Sequence, residues 1–420
     1  MDFEENVSWD HLLRKKTLKY YPKNLKELNL ILKKIDKDSF VIKTGSSSYF
    51  DKSIGPGKYT LSLKKFDKIK LNKKKLFVEV GSGMTLNKLV RYLSKKKVTL
   101  YTIPGSGDIS IGGAISANVI GKSSNKKYAC FGDSVLSLKI LTKNGKIKEV
   151  KKTVRKYVGS FGTYGIIISA KLRLLELESE YLVIEKKIVT SSLHLKKLFD
   201  EKYLYRYSII NPFPSKKKFG IFIGAKSNLY RDISDKELVF SKYPLILLLK
   251  FAKLFYYKIF LKIFYKIFFL LNTEKIRFSN FCNFHYKTNL YSYLPHAYHG
   301  GLVEIEILVK DINYLNKIKK FFYNTDVFPK YIIVKKQYKS KNNYFYEFSN
   351  NGYSIAMTFD NSIVNQNLNK FRSFYKSLEK NKIKINISKN SLFNESIKDY
   401  KKFKSYPDYN FKSYFISKKF

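Results

Sequence analysis

Glycine is concentrated in one stretch of this chain, and that stretch constrains the fold more than any other. Of the 20 glycines in 420 residues, five stand at positions 105, 107, 112, 113 and 121. Because glycine has no Cβ, such a cluster lets the backbone approach a bound group closely. Asn144-Gly145 follows between two alternating segments, which is typical of a type I′ hairpin turn. The segment from Pro104 to Gly145 therefore predicts a ligand-binding loop that leads into a sheet.

Length and composition predict a globular protein of two or three domains, since 44% of the residues are hydrophobic. The net charge of +48 would suit a nucleic acid or a membrane surface. Lys, Asn, Ile, Phe and Tyr are abundant, however, and Trp, Pro and Gly are scarce, which is typical of an AT-rich coding sequence. We therefore attribute the charge first to this bias and second to attraction to a membrane, and we expect no specific nucleic-acid partner.

Cys130 and Cys282 are far apart and lack the spacing of a metal site, so neither a metal nor a disulfide framework is expected. The first residues, MDFEENVSWDHLL, lack the basic start and apolar core of a signal peptide. These features predict a cytoplasmic protein.

A serine-rich loop follows the first predicted helix and strand. Residues 24–35 have apolar residues at helical spacing, and Ser39 to Thr44 predicts a buried strand. The loop from Lys43 to Asp51 then offers small residues and backbone N–H groups that suit a pyrophosphate. Such a loop is also typical of a solvated turn.

The next elements alternate between strands, helices and glycine-rich turns. We predict a strand at Leu76–Val80, a helix capped by Thr85 with the apolar face Leu86, Leu89, Val90 and Leu93, a hairpin at Val135–Val150, and a strand at Ile166–Leu175 that follows the turn Gly159–Gly165. This mixture indicates an α+β fold, and the missing GxGxxG pattern argues against a Rossmann unit.

The order of these parts resembles the flavin-binding domain of the vanillyl-alcohol oxidase and p-cresol methylhydroxylase superfamily. Within it, the segments GGAISANVIGKSSN and FGDSVLSLKILTKNG are most similar to the decaprenylphosphoryl-ribose 2′-oxidase family. Ser48-Tyr49-x-Asp51 resembles that family's RSYGD loop, and Gly159–Ile167 resembles its GGxGLTGII segment. Fainter similarities continue downstream, at Tyr207–Ile209, Gly301–Glu306, Tyr331–Lys336, Lys389-Asn390-Ser391 and Pro407–Ser413.

This resemblance implies an α+β fold with a two-subdomain FAD-binding domain of the p-cresol methylhydroxylase type and an α+β substrate domain with an antiparallel sheet. The FAD-binding domain would span residues 1–180, the substrate domain 181–384, and a C-terminal return to the FAD-binding domain 385–420. FAD would be bound noncovalently, because Ile120 stands where the family has a flavin-linked histidine.

The resemblance also implies the site residues. Lys389, in a motif similar to the family's KDS, and Tyr49 are the candidate catalytic residues, and backbone donors at Gly45–Tyr49 and Ser110–Gly113 would hold the phosphates. Glu304 and Glu306 replace paired glutamines that line the family's substrate pocket; alternatively they lie on the polar face of a strand. In the pocket, their charge would oppose a substrate phosphate. The candidate FAD contacts are Lys43, Thr44, Gly45, Ser46, Ser47, Ser48, Tyr49, Gly105, Ser110, Ile111, Gly112, Gly113, Ala117, Asn118, Ile120, Ile167 and Asn386.

The segment from Leu245 to Leu271 is strongly apolar but contains five lysines, at 250, 253, 258, 262 and 266. A membrane-spanning helix would place several of these charges at the bilayer centre, which is costly. A helical wheel leaves an aromatic and aliphatic face opposite the lysines, so we expect a helix that lies in the membrane interface. The alternative is a core helix with snorkelling lysines.

The function implied by these features is oxidation of a secondary sugar hydroxyl by hydride transfer to FAD, on a polyprenyl-phosphate pentose at the inner face of the membrane. A short-chain reductase partner would complete an epimerisation. The first alternative is an oxidase of a soluble aldonolactone or sugar acid. The second is a membrane-associated or nucleic-acid-binding scaffold with a decayed flavin site.

Overall fold

A computed structural model of the chain describes residues 3–35, 40–45, 47–49, 58–122, 126–142, 145–215, 218–228, 242–287, 290–325, 327–389 and 392. Three sheets succeed one another along these residues, and helices cover them. The α+β class and the antiparallel substrate-side sheet predicted from the sequence are confirmed. Of the candidate strand Ser39–Thr44, residues Phe40–Ile42 form a strand and Lys43 and Thr44 do not; Ser39, like Asn144 of the predicted turn, lies outside the described residues.

The first sheet has four strands in the order β1-β2-β4-β3. Its strands are Phe3–Val7 (β1), Arg14–Tyr20 (β2), Phe40–Ile42 (β3) and Tyr59–Leu61 (β4). The predicted first helix is confirmed as α1, Leu25–Lys34, where the Asn24 side chain accepts a hydrogen bond from the Glu27 N–H and so caps the first turn. Leu28 of α1 packs against Phe40 and Leu61 of the sheet.

The second sheet has six strands. They are Ile69–Asn72 (β5), Phe77–Gly81 (β6), Val98–Leu100 (β7), Val135–Leu141 (β8), Ile147–Val150 (β9) and Ile166–Glu176 (β10). Helix α2, Leu86–Ser94, buries the predicted apolar residues Leu86, Leu89, Val90 and Leu93. The Thr85 side chain makes no capping hydrogen bond, which corrects one detail of that prediction. Helix α3, Ile111–Ser116, lies within the glycine-rich stretch and packs on the same core.

The third sheet has eight antiparallel strands in the order β14-β11-β13-β12-β16-β17-β15-β18. They are Tyr181–Val189 (β11), Tyr205–Ile210 (β12), Gly220–Asn228 (β13), Lys275–Asn280 (β14), Leu302–Val309 (β15), Tyr331–Gln337 (β16), Gly352–Asp360 (β17) and Lys384–Ile385 (β18). The helices of this part are Ser192–Asp200 (α4), Lys242–Phe251 (α5), Lys258–Leu271 (α6), Phe281–Tyr286 (α7), Leu290–Tyr293 (α8), Tyr314–Asn324 (α9), Asn361–Gln366 (α10) and Leu368–Lys380 (α11).

The two faces of the third sheet have different roles. Strand side chains alternate between faces, and one face of β15 to β17 forms a core with α4, α9 and α11 through residues such as Ile305, Val334 and Met357. The intervening residues, among them Glu304, Lys335 and Ala356, point to the opposite face. That face is turned toward the glycine-rich stretch, so a space is left between the second and third sheets.

The segment Leu245–Leu271 forms two helices rather than one. Helices α5 and α6 are separated by a 3-10 turn at Ala252–Tyr256. Within the described part of the chain, no helix is long and apolar enough to cross a membrane.

Candidate active site

A cavity of about 400 Å³ lies between the glycine-rich stretch and the inner face of the third sheet. Most of its lining comes from four parts of the chain: residues 42–45 and 47–49, the stretch from Pro104 to Lys122, the turn and strand at 161–167, and the strands β12, β15, β16 and β17. Asn386, Ser388 and Lys389, which follow β18, close its remaining side. Most of the sequence-predicted site residues, though far apart in the chain, thus meet around one space.

The serine-rich loop presents backbone donors to this cavity. Among the described residues, the N–H groups of Gly45, Ser47 and Ser48 make no hydrogen bond within the protein, and all three residues line the cavity. A Cβ on Gly45 would lie 2.9 Å from the Asp108 carbonyl oxygen, so only glycine lets the two loops approach this closely. This part of the predicted anion-binding loop fits a pyrophosphate.

The backbone at Ile111–Gly113 does not fit the role predicted for it. The N–H of Ile111 donates to Met84 O, that of Gly112 to Ser82 O, and that of Gly113 to the Ser110 Oγ, at 2.9, 2.9 and 3.2 Å. These donors are already used to start α3 and to fix it against its neighbours. These three N–H groups are therefore not available to a phosphate in this structure, although Ser110, Gly112 and Gly113 still line the cavity.

The glycine-rich stretch instead provides room. A Cβ built on Gly105 would meet no protein atom within 4 Å, so this backbone leaves its space open to a bound group. Ala117, Ile120 and Ile167 also line the cavity with small or apolar side chains. A cradle of free N–H groups beside an apolar slot fits the pyrophosphate and the ring system of a flavin dinucleotide.

Two of the predicted FAD contacts that the structure describes do not line the cavity. Ile111 is buried in the core of the second sheet and does not line the cavity. The Asn118 side chain binds protein backbone, donating to Tyr346 O and accepting from the Gly132 N–H, and it does not line the cavity either. Ser46 lies outside the described residues. The other candidates, Lys43, Thr44 and Tyr49 included, line the cavity.

Glu304 brings the two candidate catalytic residues together. The Tyr49 hydroxyl donates to Glu304 Oε2 at 2.8 Å, and Lys389 Nζ donates to Glu304 Oε1 at 2.7 Å. All three residues line the cavity, and Glu304 is only 5% exposed. A carboxylate held between a phenol and an ammonium group is positioned to accept a proton from a bound hydroxyl.

Glu306 lies behind this group rather than in the cavity. It is fully buried, accepts a hydrogen bond from Asn386 Nδ2 at 2.7 Å, and pairs with Lys335 at 3.6 Å and Lys389 at 3.5 Å. Burial raises the Glu306 pKa, but Lys389, Lys335 and the Asn386 hydrogen bond outweigh it, so the net shift is downward. The prediction that Glu306 contacts substrate is not supported. Both glutamates lie on the strand face opposite the apolar core, but this face is not exposed to solvent, because the whole of β15 is buried.

Sequence reasoning missed two lysines of the cavity. Lys122 follows the glycine-rich stretch directly, with its Nζ 5.1 Å from the Tyr207 ring centroid, and Lys335 belongs to the row Tyr331, Ile333, Lys335 on β16. Burial, together with the neighbouring Lys335, lowers the pKa of Lys122 to about 8. The alternation along β16 was the available signal for Lys335.

Cations outnumber anions around the cavity. Among the described residues that line it, Lys43, Lys122, Lys335 and Lys389 face a single carboxylate, that of Glu304. The expected conflict between the glutamates and a substrate phosphate is therefore removed. Within the described residues, no cluster of three or more His, Cys, Asp or Glu that could hold a metal is found.

Comparison with known families agrees with this geometry. Residues 18–151 match the family described as FAD binding domain. This match runs from the end of β2 through β9 and includes both loops of the cofactor side of the cavity. The chain therefore carries an FAD-binding domain over these residues, and FAD is its cofactor.

Two curated proteins are similar in sequence to this chain over part of their length. The chain is 26% identical over 120 residues to decaprenylphosphoryl-β-D-ribose oxidase of Mycolicibacterium smegmatis, which covers 27% of this chain and 26% of that protein. It is 31% identical over 134 residues to D-lactate dehydrogenase of Anaerostipes hadrus, which covers 29% and 28%. The chain thus matches about a quarter of the length of these curated relatives.

A solved structure extends the likeness to most of the fold. The crystal structure of cholesterol oxidase from B. sterolicum superposes with a TM-score of 0.63 at 12% identity, over 85% of this chain and 79% of that one. At this identity the likeness concerns the fold alone, and it extends over much more of the chain than the FAD-binding domain does.

Proposed function

We propose that this protein is an FAD-dependent oxidoreductase that oxidises a secondary hydroxyl group of a sugar. The single observation that carries the proposal is the position of Glu304. Its carboxylate, hydrogen-bonded to Tyr49 and Lys389, lines the same cavity as the free N–H groups of the serine-rich loop. A proton acceptor and a flavin-binding loop in one enclosed space are what oxidation of an alcohol requires.

Each side chain has a defined task in this reaction. When bound, FAD accepts the hydride from the carbon that bears the hydroxyl group. Glu304 takes the hydroxyl proton as the C–H bond breaks, so that a ketone forms. Tyr49 orients the hydroxyl group, and the Lys389 ammonium group stabilises the negative charge that develops around the oxygen. Glu306 positions Lys335 and Lys389 from behind.

The cofactor is proposed to be bound without a covalent link. Among the described residues that line the cavity there is no histidine or cysteine, and position 120 carries an isoleucine. The FAD would be held by the backbone of Gly45, Ser47 and Ser48 and by the apolar part of the cavity that Gly105, Ala117 and Ile167 line.

For the substrate, we propose a polyprenyl-phosphate pentose oxidised at the 2′-hydroxyl. The partial similarity to decaprenylphosphoryl-β-D-ribose oxidase supports this assignment. Lys122 and Lys335 supply positive charge for the phosphate at the same cavity. A short-chain reductase that reduces the keto product would complete an epimerisation.

A second candidate is a soluble hydroxy acid, such as a sugar acid, or its lactone. The partial similarity to D-lactate dehydrogenase favours it, and a carboxylate would suit the same two lysines. In that case, the lipid part of the substrate would be absent and the reaction chemistry would be the same.

The experiment that tests both is anaerobic reduction of the FAD-loaded protein by a panel of polyprenyl-phosphate pentoses, sugar acids and lactones. We expect one class to bleach the flavin absorbance within a single turnover. The class that bleaches it identifies the substrate.

A protein that takes up no FAD, or whose flavin no member of the panel reduces, would contradict the proposal. Salt-sensitive DNA binding without flavin reduction would support the scaffold alternative instead.

A further inference from the structure

The exposed apolar side chains of this protein are concentrated in one region. Of the 21 large apolar side chains exposed among the described residues, 12 fall between positions 247 and 278. We call these 12 side chains the apolar patch. They are Leu247 and Phe251 of α5; Leu254 and Tyr257 between the two helices; Ile259, Phe260, Ile263, Ile267, Leu270 and Leu271 of α6; and Ile276 and Phe278 of β14. Such a concentration is unusual for a surface that faces only water.

Helix α6 has two apolar faces, and the protein buries only one. Leu261, Tyr265 and Phe269 are nearly inaccessible and pack on β13 and on Phe213 and Phe328. The exposed apolar residues of α6 are one, three or four positions apart in the sequence, so they share the side of the helix that faces away from the sheet. On that side, Ile263 is 48% exposed and Leu270 is 60% exposed. The docking of α6 on the sheet therefore leaves a second apolar face uncovered.

Positive charge accompanies this uncovered face. Lys262 and Lys266 are exposed on α6, and Lys275 and Arg277 are exposed on β14. From residue 242 to residue 273 the chain has no acidic residue. An apolar helix face flanked by lysines is complementary to a bilayer that contains anionic lipids, since the apolar side chains enter the acyl boundary and the lysines meet the headgroups.

The patch also adjoins the active-site cavity. Leu249 of α5 belongs to one cluster with Tyr49 and Leu294, both of which line the cavity. On α6, the Tyr265 hydroxyl donates to Lys330 O at 3.0 Å, and the next residue, Tyr331, lines the cavity. Both helices of the patch are thus fixed to the cavity wall.

We propose that the apolar patch docks this protein on an anionic lipid bilayer and that the cavity receives its substrate from that surface. The docking does not depend on the reaction assigned above. The assignment of the bilayer as the source of the substrate rests on that proposed function and deepens it. It requires a substrate with an acyl or polyprenyl chain.

Vesicle flotation with the full-length, FAD-loaded protein tests the docking. We expect binding to vesicles of phosphatidylcholine with phosphatidylglycerol, and weaker binding to phosphatidylcholine alone. High salt should weaken the binding to the anionic vesicles but leave an apolar component.

Two double variants separate the contributions of the patch. I263N/I267N replaces half-exposed side chains and should lower the vesicle partition constant at least about tenfold, because two apolar side chains no longer enter the acyl boundary. K262Q/K266Q should remove most of the preference for anionic lipid. The matched control L30N/L193N changes exposed leucines on α1 and α4 and should bind as the unchanged protein does. FAD content and cooperative unfolding confirm that each variant is folded.

The outcomes distinguish the docking from the reaction. The docking proposal would be overturned if the unchanged protein did not bind vesicles, or if L30N/L193N lost as much vesicle binding as I263N/I267N. So would a dimer that I263N/I267N dissociates without any vesicle binding, since the patch would then cover a second copy. If flotation succeeds while no sugar reduces the flavin, only the proposed reaction fails. If both hold, vesicles should accelerate reduction by a polyprenyl sugar in the unchanged protein and not in I263N/I267N.

Discussion

At the residue scale, the chemistry of the site depends on how Glu304 is held. Its two oxygens are each engaged by a different donor, Tyr49 and Lys389, so the carboxylate has a fixed orientation. Glu306, two residues away on the same strand face, is fully buried and takes no place in the cavity. Two glutamates on the same face of one strand therefore have different tasks, and the depth of each side chain in the protein decides which task it has.

Replacing the proposed base should slow the chemical step selectively. In E304Q we expect flavin reduction to fall about 10²-fold or more, because general-base catalysis contributes on that order. FAD content should stay unchanged. The rate is measured by anaerobic stopped-flow absorbance.

A matched control for this variant exists on β11. Glu185 also accepts hydrogen bonds from a tyrosine and a lysine, Tyr203 and Lys226, each at 2.7 Å, but it does not line the cavity. E185Q should reduce its flavin at the normal rate. Equal rates for E304Q and E185Q would remove Glu304 from the mechanism.

Lys122 should make the binding of an anionic substrate dependent on pH. Its pKa, lowered to about 8 by burial and by Lys335, lies below that of an ordinary lysine. The side chain is therefore charged below about pH 8 and loses its proton as the pH rises above it. We expect the KM of an anionic substrate to be constant below this value and to rise above it, with little change for a neutral lactone. K122M should have a high KM throughout, and a pH profile unchanged by K122M would contradict the assignment.

At the element scale, two glycines of the cofactor side serve different purposes. Gly45 permits the close approach of two loops, whereas Gly105 keeps space open in the cavity wall. The helices and strands around them provide the rigid frame from which these loops extend.

Substitution by alanine should separate the two purposes. In G105A, the added methyl group meets no protein atom, so the unfolding free energy of the FAD-free protein should not change while FAD affinity falls. In G45A the Cβ would lie 2.9 Å from Asp108 O, so the FAD-free protein itself should be destabilised by about 1 kcal/mol or more. Urea unfolding and FAD titration measure both effects. Unchanged FAD affinity in G105A would show that the flavin does not approach this backbone.

Many of the helices and strands could be predicted from the sequence, because the signals that indicate them are local. The apolar spacing of α1 and α2, the hairpin of β8 and β9, and the strand at Ile166 follow from periodicity and turn residues. The tasks of Ile111, Glu306 and Lys335 could not be predicted, since they depend on which donors are already used and on what lies behind a strand. The break between α5 and α6 also gave no clear sequence signal, because no proline or glycine marks it.

At the scale of the whole molecule, the cofactor contributes to stability as well as to chemistry. In the proposed cradle, FAD would contact both the loop between β3 and β4 of the first sheet and the glycine-rich stretch that follows β7. A ligand that binds only the folded protein stabilises it by mass action, by about 2.7 kcal/mol at 100 times its Kd.

Removal of FAD should therefore be possible and costly. We expect acid precipitation to release all flavin into the supernatant, as a noncovalent cofactor requires. The FAD-free protein should unfold at a lower temperature and recover on addition of FAD. Flavin that remains with the precipitate would show a covalent link and would contradict the noncovalent assignment.

The last described strand, β18, has only two residues, yet it places Asn386, Ser388 and Lys389 at the cavity. The loops on the cofactor side, by contrast, come from the first 170 residues. During synthesis, the loops of the cofactor side are therefore made before the lysine that engages Glu304. The catalytic group of Tyr49, Glu304 and Lys389 can form only after Lys389 has been added, so the order of translation places the cofactor-side loops first and the completed catalytic group last.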